Sequence, residues 1–145
     1  MERIYFKIEI DAPKEKVWNV LLGETTYPVW TAPFAEGSRV ITDWQIGSKA
    51  LFVNAEGDGM ISKIAEHIPN EYISIHHLGM YMNGVEDYES EEVKKWTGAV
   101  ENYKLSTKDD KSLLSVELDT TEDHKSYFEE KWPIALEKVK ELAEG

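Results

Sequence analysis

A chain of 145 residues, 41% of them hydrophobic and including five Trp, seven Tyr and four Phe, carries enough apolar material for one core. That excludes intrinsic disorder and leaves no room for a second domain, so a single domain over residues 1–145 is expected. The formal charge of −12, with Lys and Arg scattered, excludes a basic nucleic-acid surface and disfavours docking on anionic membranes.

Cysteine is absent, which removes disulfides, thiol nucleophiles and thiolate metal sites. No apolar run approaches the ~20 residues that span a bilayer, so stable membrane association is not expected. The opening Met1-Glu-Arg-Ile-Tyr-Phe-Lys-Ile8 alternates and is charged from its second residue, unlike a signal peptide, and reads as cytoplasmic.

Ile4, Phe6, Ile8 and Ile10 alternate with Tyr5, Lys7 and Glu9, which predicts a strand over residues 2–10 with one buried face. Asp11-Ala-Pro-Lys14 supplies a cap and a first-turn proline for a short helix whose stripe is Val17, Trp18, Leu21 and Leu22. Gly23 is placed to end it, and Thr25 to Trp30 continue as a shorter helix across Pro28. Strands then follow over 38–44, 48–55, 59–68, 71–82, 96–107 and 112–120, broken by turns at Gly47, Gly57-Asp-Gly59, Pro69-Asn70 and Lys108-Asp-Asp-Lys111. The acidic stretch from Gly84 to Lys95 has neither period and reads as a solvated loop or short helix. From Thr121 the period turns helical, with Phe128, Trp132, Ala135, Leu136, Val139, Leu142 and Ala143 on one stripe. Pro133 inside that pattern predicts a kink or the meeting of two segments. The long helix needs a sheet face on which to bury its stripe, and a curved antiparallel sheet in which the first strand pairs with the last ones supplies it.

Particular residues carry the resemblance to known proteins. Trp96-Thr-Gly-Ala-Val-Glu-Asn-Tyr-Lys-Leu105, followed by Leu113-Leu-Ser-Val-Glu-Leu118, resembles the penultimate hairpin of proteins related to the activator of the heat-shock protein 90 ATPase. Trp132-Pro-Ile-Ala-Leu-Glu-Lys-Val-Lys-Glu-Leu142 resembles their final helix. The opening Ile8-Glu-Ile-Asp-Ala-Pro-Lys-Glu-Lys-Val-Trp18 is similar to that of the wider START-like, or SRPBCC, superfamily, which includes the birch-pollen allergen and polyketide cyclases. The resemblance implies an α+β helix-grip fold, β-α-α-β6-α, with a deep cavity for hydrophobic small molecules between the sheet and the last helix. Trp30-Thr-Ala-Pro-Phe34 matches the cavity-mouth segment loosely. The family also implies a stress-response role and a chaperone as a protein partner, and edge strands of this fold allow a monomer or a homodimer.

Within strand 96–107, Ala99, Glu101, Tyr103 and Leu105 share one face, and the polar set on the other face turns Glu101 inward. An internal carboxylate there has a raised pKa and serves as a general acid or base or anchors a polar ligand head; the alternative is a hydrated group near the sheet end. His76 and His77 are adjacent, point to opposite faces and cannot chelate one metal together. His77 shares its face with Ile73, Ile75, Gly79 and Tyr81, and which of the two faces lines a cavity stays open; a satisfied, non-catalytic histidine is the alternative. His67 and His124, near predicted element ends, read as surface residues.

The candidate catalytic residues are thus Glu101, Tyr103 and His77. The candidate ligand-binding set adds the aromatic residues Trp30, Phe34, Trp44, Phe52, Tyr81, Phe128 and Trp132 with the adaptable Met60, all of which also serve as plain core filling. Met80 and Met82 carry the same two readings as Met60. No P-loop, dinucleotide fingerprint, His-Glu-x-x-His pattern or nucleophile elbow occurs, so neither a metal nor a cofactor is expected and nothing demands an enzyme. The leading expectation is a binding protein for an apolar or amphipathic small molecule. A co-chaperone domain and a cavity enzyme (a cyclase, isomerase or hydrolase) built on Glu101 are the alternatives.

Overall fold

The computed structural model describes residues 1–145. In chain order it contains β1 (Glu2–Ile10), α1 (Lys14–Leu22), α2 (Tyr27–Trp30), β2 (Arg39–Ile41), β3 (Lys49–Val53), β4 (Gly59–Ile68), β5 (Tyr72–Met82), β6 (Val85–Asp87), α3 (Glu91–Lys94), β7 (Val100–Lys108), β8 (Lys111–Thr120) and α4 (Glu122–Glu144). The strands form one antiparallel sheet in the order β1-β8-β7-β5-β4-β3-β2, with β6 paired to β5. Alternation sets which side faces in. Ile4, Phe6 and Ile8 of β1 stand opposite Leu118, Val116 and Leu114 of β8, and together they form an apolar row under α4.

The helix answers with Trp132, Ala135, Leu136, Val139 and Ala143, all buried. Small residues at 135 and 143 let it lie close to the sheet, and its contacts run to β1, α1 and α2. It continues without a break through Pro133, so the meeting of two segments is not seen: Pro133 lies on the exposed side, where water can take the carbonyl that lacks its amide partner.

Several boundaries differ from expectation for identifiable reasons. Trp44 sits at φ 62°, which ends extended structure, and β2 is confined to three residues of the expected 38–44. The chain from Trp96 to Ala99 turns through Gly98 at φ 88°, so β7 starts at Val100. Asp11 does not cap α1, whose first helical residue is Lys14; the Asp11 amide donates instead to Glu144 at 2.8 Å. The acidic loop contains both β6 and α3, and Gly79 permits the first of them. A Cβ at Gly79 would stand 2.4 Å from the Asp87 carbonyl and 2.8 Å from the Tyr88 ring.

Two β-bulges shape β4 and β5. Ile61 pairs with Gly79 and Ser62 with His77, leaving Leu78 extra on β5; Ile64 pairs with Ile75 and Glu66 with Ser74, leaving Ala65 extra on β4. Each extra residue bends its strand and reverses the in-out alternation beyond it.

The grip of the sheet on α4 has a direct test. Leu136→Ala is expected to lower stability by about 2–5 kcal/mol, because the side chain is buried and its removal leaves a cavity, whereas Ile134→Ala, at an exposed position, is expected to change it by less than about 0.5 kcal/mol. Urea unfolding of the two variants beside the wild type measures the difference.

Candidate functional site

Between the curved half of the sheet and α2 and α4 lies a cavity of about 550 Å³. Its walls are aromatic. Trp30 and Trp132 approach with ring centroids 6.0 Å apart, Tyr103 lies 6.0 Å from Trp132, and Phe34 meets Trp132 edge-on at 5.0 Å. Tyr27 of α2 packs at 5.4 Å from Trp30 and 6.3 Å from Phe52. The mouth is bordered by exposed Glu92, His124 and Tyr127.

Into this apolar space the sheet turns one chain of polar groups. Parity along β7 directs Glu101 and Tyr103 inward, and β5 brings His77 beside them. Glu101 Oε1 is 3.1 Å from His77 Nε2, while the Tyr103 hydroxyl donates a short hydrogen bond to the other carboxylate oxygen. Behind the imidazole, His77 Nδ1 lies 2.6 Å from Ser62 Oγ on β4. In the Nε2–H tautomer the Ser62 hydroxyl donates to Nδ1 and the ring donates to the carboxylate, so the polar atoms are matched from end to end. Ser62 is fully buried behind the ring and does not line the cavity, so it positions His77. Glu101 is the group offered to the interior, with its side chain 20% exposed.

Burial pushes the Glu101 carboxyl up, as the sequence suggests. The hydrogen bond and field of His77, joined by the Tyr103 hydroxyl, outweigh burial and leave the carboxyl below the usual carboxylate range. The expected raised value is therefore corrected: the partners lie on neighbouring strands or two residues along, and they favour the ionised form. Burial and the Glu101 charge push the Tyr103 hydroxyl well above its ordinary value and raise Tyr27 likewise, so both stay neutral donors.

Of the eleven candidate ligand-binding residues, Trp30, Phe34, Phe52, Met60, His77, Glu101, Tyr103, Phe128 and Trp132 line the cavity. Two do not. Trp44 packs edge-on against Phe52 at 6.4 Å outside the lining. Tyr81 lies on the opposite face of the sheet, in a groove with Arg39, Ile41 and Leu51, because the Leu78 bulge puts Met80 rather than Tyr81 on the His77 side. Met82 is exposed. His67 is half-buried: it accepts from Trp18 Nε1 at 3.3 Å and its Nδ1 meets the Trp44 carbonyl at 2.8 Å, which ties α1 to the loop before β3. His124 is exposed as expected, though at the cavity mouth.

Sequence reasoning missed Tyr27, Thr31 and Ser62. The parity of Ser62 with Met60 and Ile64 could have placed it inward, but nothing in the sequence pairs it with His77. One buried donor is left over. The indole N–H of Trp132 has no acceptor in the protein, an arrangement that ordinarily costs about 1–3 kcal/mol.

No family model and no curated protein sequence matches the chain. Solved structures do. The Aha1 dimer from Colwellia psychrerythraea has 20% identity and a TM-score of 0.75, with 99% of this chain and 97% of that one covered. Protein MLL2253 from Mesorhizobium loti has 15% identity and a TM-score of 0.74, over 97% and 96% of the two chains. CalU16 from Micromonospora echinospora has 18% identity and a TM-score of 0.68, over 97% and 75%. The chain therefore has the START-like helix-grip fold.

The carboxylate chain makes a prediction about acid stability. A Glu whose folded pKa is depressed contributes stability that is complete above the unfolded value of about 4.3 and is lost as pH falls through the lower folded value. The stability difference between the wild type and Glu101→Gln is thus expected to be largest near neutral pH and to shrink below about pH 4. Denaturant unfolding across that range measures it, and a difference that stays constant would contradict the ion-favouring environment.

Proposed function

From a START-like helix-grip fold enclosing an aromatic cavity with one internal carboxylate, we propose that the protein binds an amphipathic small molecule. The apolar body lies among Trp30, Phe34, Phe52 and Trp132, and the polar end meets Glu101, Tyr103 and His77. The observation that carries this reading is the cavity of about 550 Å³ itself, large enough for a drug-sized molecule, with aromatic side chains forming much of its wall around the Glu101, Tyr103 and His77 group. The orphaned Trp132 N–H supports it, since a ligand acceptor would satisfy that donor.

Binding of an apolar probe such as 4-phenylbutan-1-ol is expected to change the tryptophan emission, because Trp30 and Trp132 form the wall. Phe34→Ala is expected to weaken binding about fivefold to thirtyfold through lost aromatic contact, and Tyr81→Ala to leave it unchanged. A titration in which Tyr81→Ala weakens binding and Phe34→Ala does not would move the site to the outer groove.

A second reading rests on the placement of Glu101, the open end of the Ser62, His77 and Glu101 row, in the cavity: proton abstraction by Glu101 from a bound carbonyl compound. In this step the Glu101 oxygen takes a proton from carbon alpha to the carbonyl, the C–H electron pair becomes the enolate, and return of a proton restores the ketone. Incubating 2-tetralone with the protein in deuterated water is expected to accelerate deuterium uptake at the alpha carbon, with Glu101→Gln losing the acceleration. Uptake equal to the buffer rate would rule the reading out.

A further inference from the structure

We propose that the ligand class of this cavity is an organic cation, an apolar body carrying a protonated amine or quaternary ammonium that sits against Glu101 inside the aromatic wall. The inference rests on the small-molecule reading above and narrows it.

The first support is the isolation of the charge. Glu101 is partnered by an imidazole and a phenol, and neither lysine nor arginine pairs with it. The other acidic residues of the lining are occupied or peripheral: Asp119 is gripped by Arg3 at 2.8 Å and by the Val100 amide at 3.0 Å, Asp58 accepts from the Asn83 amide at 2.9 Å, and Glu92 stands exposed with Lys95. Arg39 belongs to the rim, exposed and directed at the Asn54 carbonyl. A carboxylate facing an aromatic chamber with no lysine or arginine beside it is an arrangement that a ligand cation completes, since the counter-charge offsets the cost of its desolvation.

The second support is the chamber wall. Tyr27, Trp30, Phe52, Tyr103 and Trp132 form a connected series of rings, with neighbours between 5.4 and 6.4 Å apart, and Tyr103 itself bonds the carboxylate. The Trp30 N–H is committed to the Leu21 carbonyl at 3.2 Å, which fixes that ring in place. Aromatic faces attract ammonium groups through their quadrupoles, most strongly where water is excluded. The Tyr27 ring lines the same cavity. The net charge of −12 favours approach of a cation over an anion.

The test uses three probes with one apolar body, 4-phenylbutylamine, 4-phenylbutan-1-ol and 4-phenylbutyrate, titrated calorimetrically at neutral pH into the wild type, Glu101→Gln and Glu101→Asp. The amine is expected to bind at least about tenfold tighter than the alcohol and the carboxylate weakest. In Glu101→Gln the preference for the amine over the alcohol is expected to be lost, whatever the affinity of either probe, and Glu101→Asp is expected to keep that preference. If the alcohol binds the wild type as well as the amine does, the cation assignment is wrong while the cavity reading stands. If the amine preference survives in a folded Glu101→Gln variant, the assignment to Glu101 is wrong. Failure of all three probes to bind would overturn both readings. The ranking in the wild type decides the matter even where a variant does not fold.

Discussion

Everything in this molecule is arranged around the burial of one helical stripe. Trp132, Ala135, Leu136, Val139 and Ala143 must lose contact with water, and the sheet satisfies them by bending around α4 on its β1 and β8 side. A sheet that grips a helix along one side diverges from it on the other. There Met60 of β4 and His77 and Met80 of β5 line a gap bordered by α2 and the segment up to Phe34. The cavity is thus a consequence of the grip, and its aromatic walls come from both the tight and the open side. Trp132 belongs to the buried stripe and to the cavity at once.

The same geometry explains the polar interior. A residue on β7 that faces α4 near its middle also faces the cavity, so Glu101 and Tyr103 are directed inward by the parity that buries Leu105. Glu101 would be costly there alone. His77, held from behind by fully buried Ser62, and the Tyr103 hydroxyl supply the donors that keep it ionised. Ser, His and Glu stand in a row, but the serine is the sealed end and the carboxylate the open one, so the array presents a negative charge rather than a nucleophilic hydroxyl.

Much of this was legible in the sequence. The alternation at Ile4 to Ile10, the helical stripe from Phe128 to Ala143 and the resemblance of the Trp96 and Trp132 segments led to the helix-grip fold, and the parity of Glu101, Tyr103 and Leu105 turned Glu101 inward. What failed depended on single residues that periodicity cannot see. The Leu78 bulge reversed the parity of β5, so Tyr81 faces outward where simple alternation put it beside His77. The short β6 lacks the length to show a period, and it depends on a glycine eight residues before its end. The direction of the Glu101 shift depended on His77, 24 residues away, whose approach only the pairing of β5 with β7 brings about.

The claim that joins these observations is that the space beside Trp132, and no other surface, receives the small molecule. It is tested most directly by the five tryptophan indole N–H resonances in a nitrogen–proton correlation spectrum recorded with and without 4-phenylbutan-1-ol. The Trp132 indole signal, whose N–H has no protein acceptor, is expected to move most. The Trp18 signal, tied to His67 away from the cavity, is expected to stay in place. Movement confined to Trp18, or to the amides of Tyr81 and its neighbours in the outer groove, would contradict it.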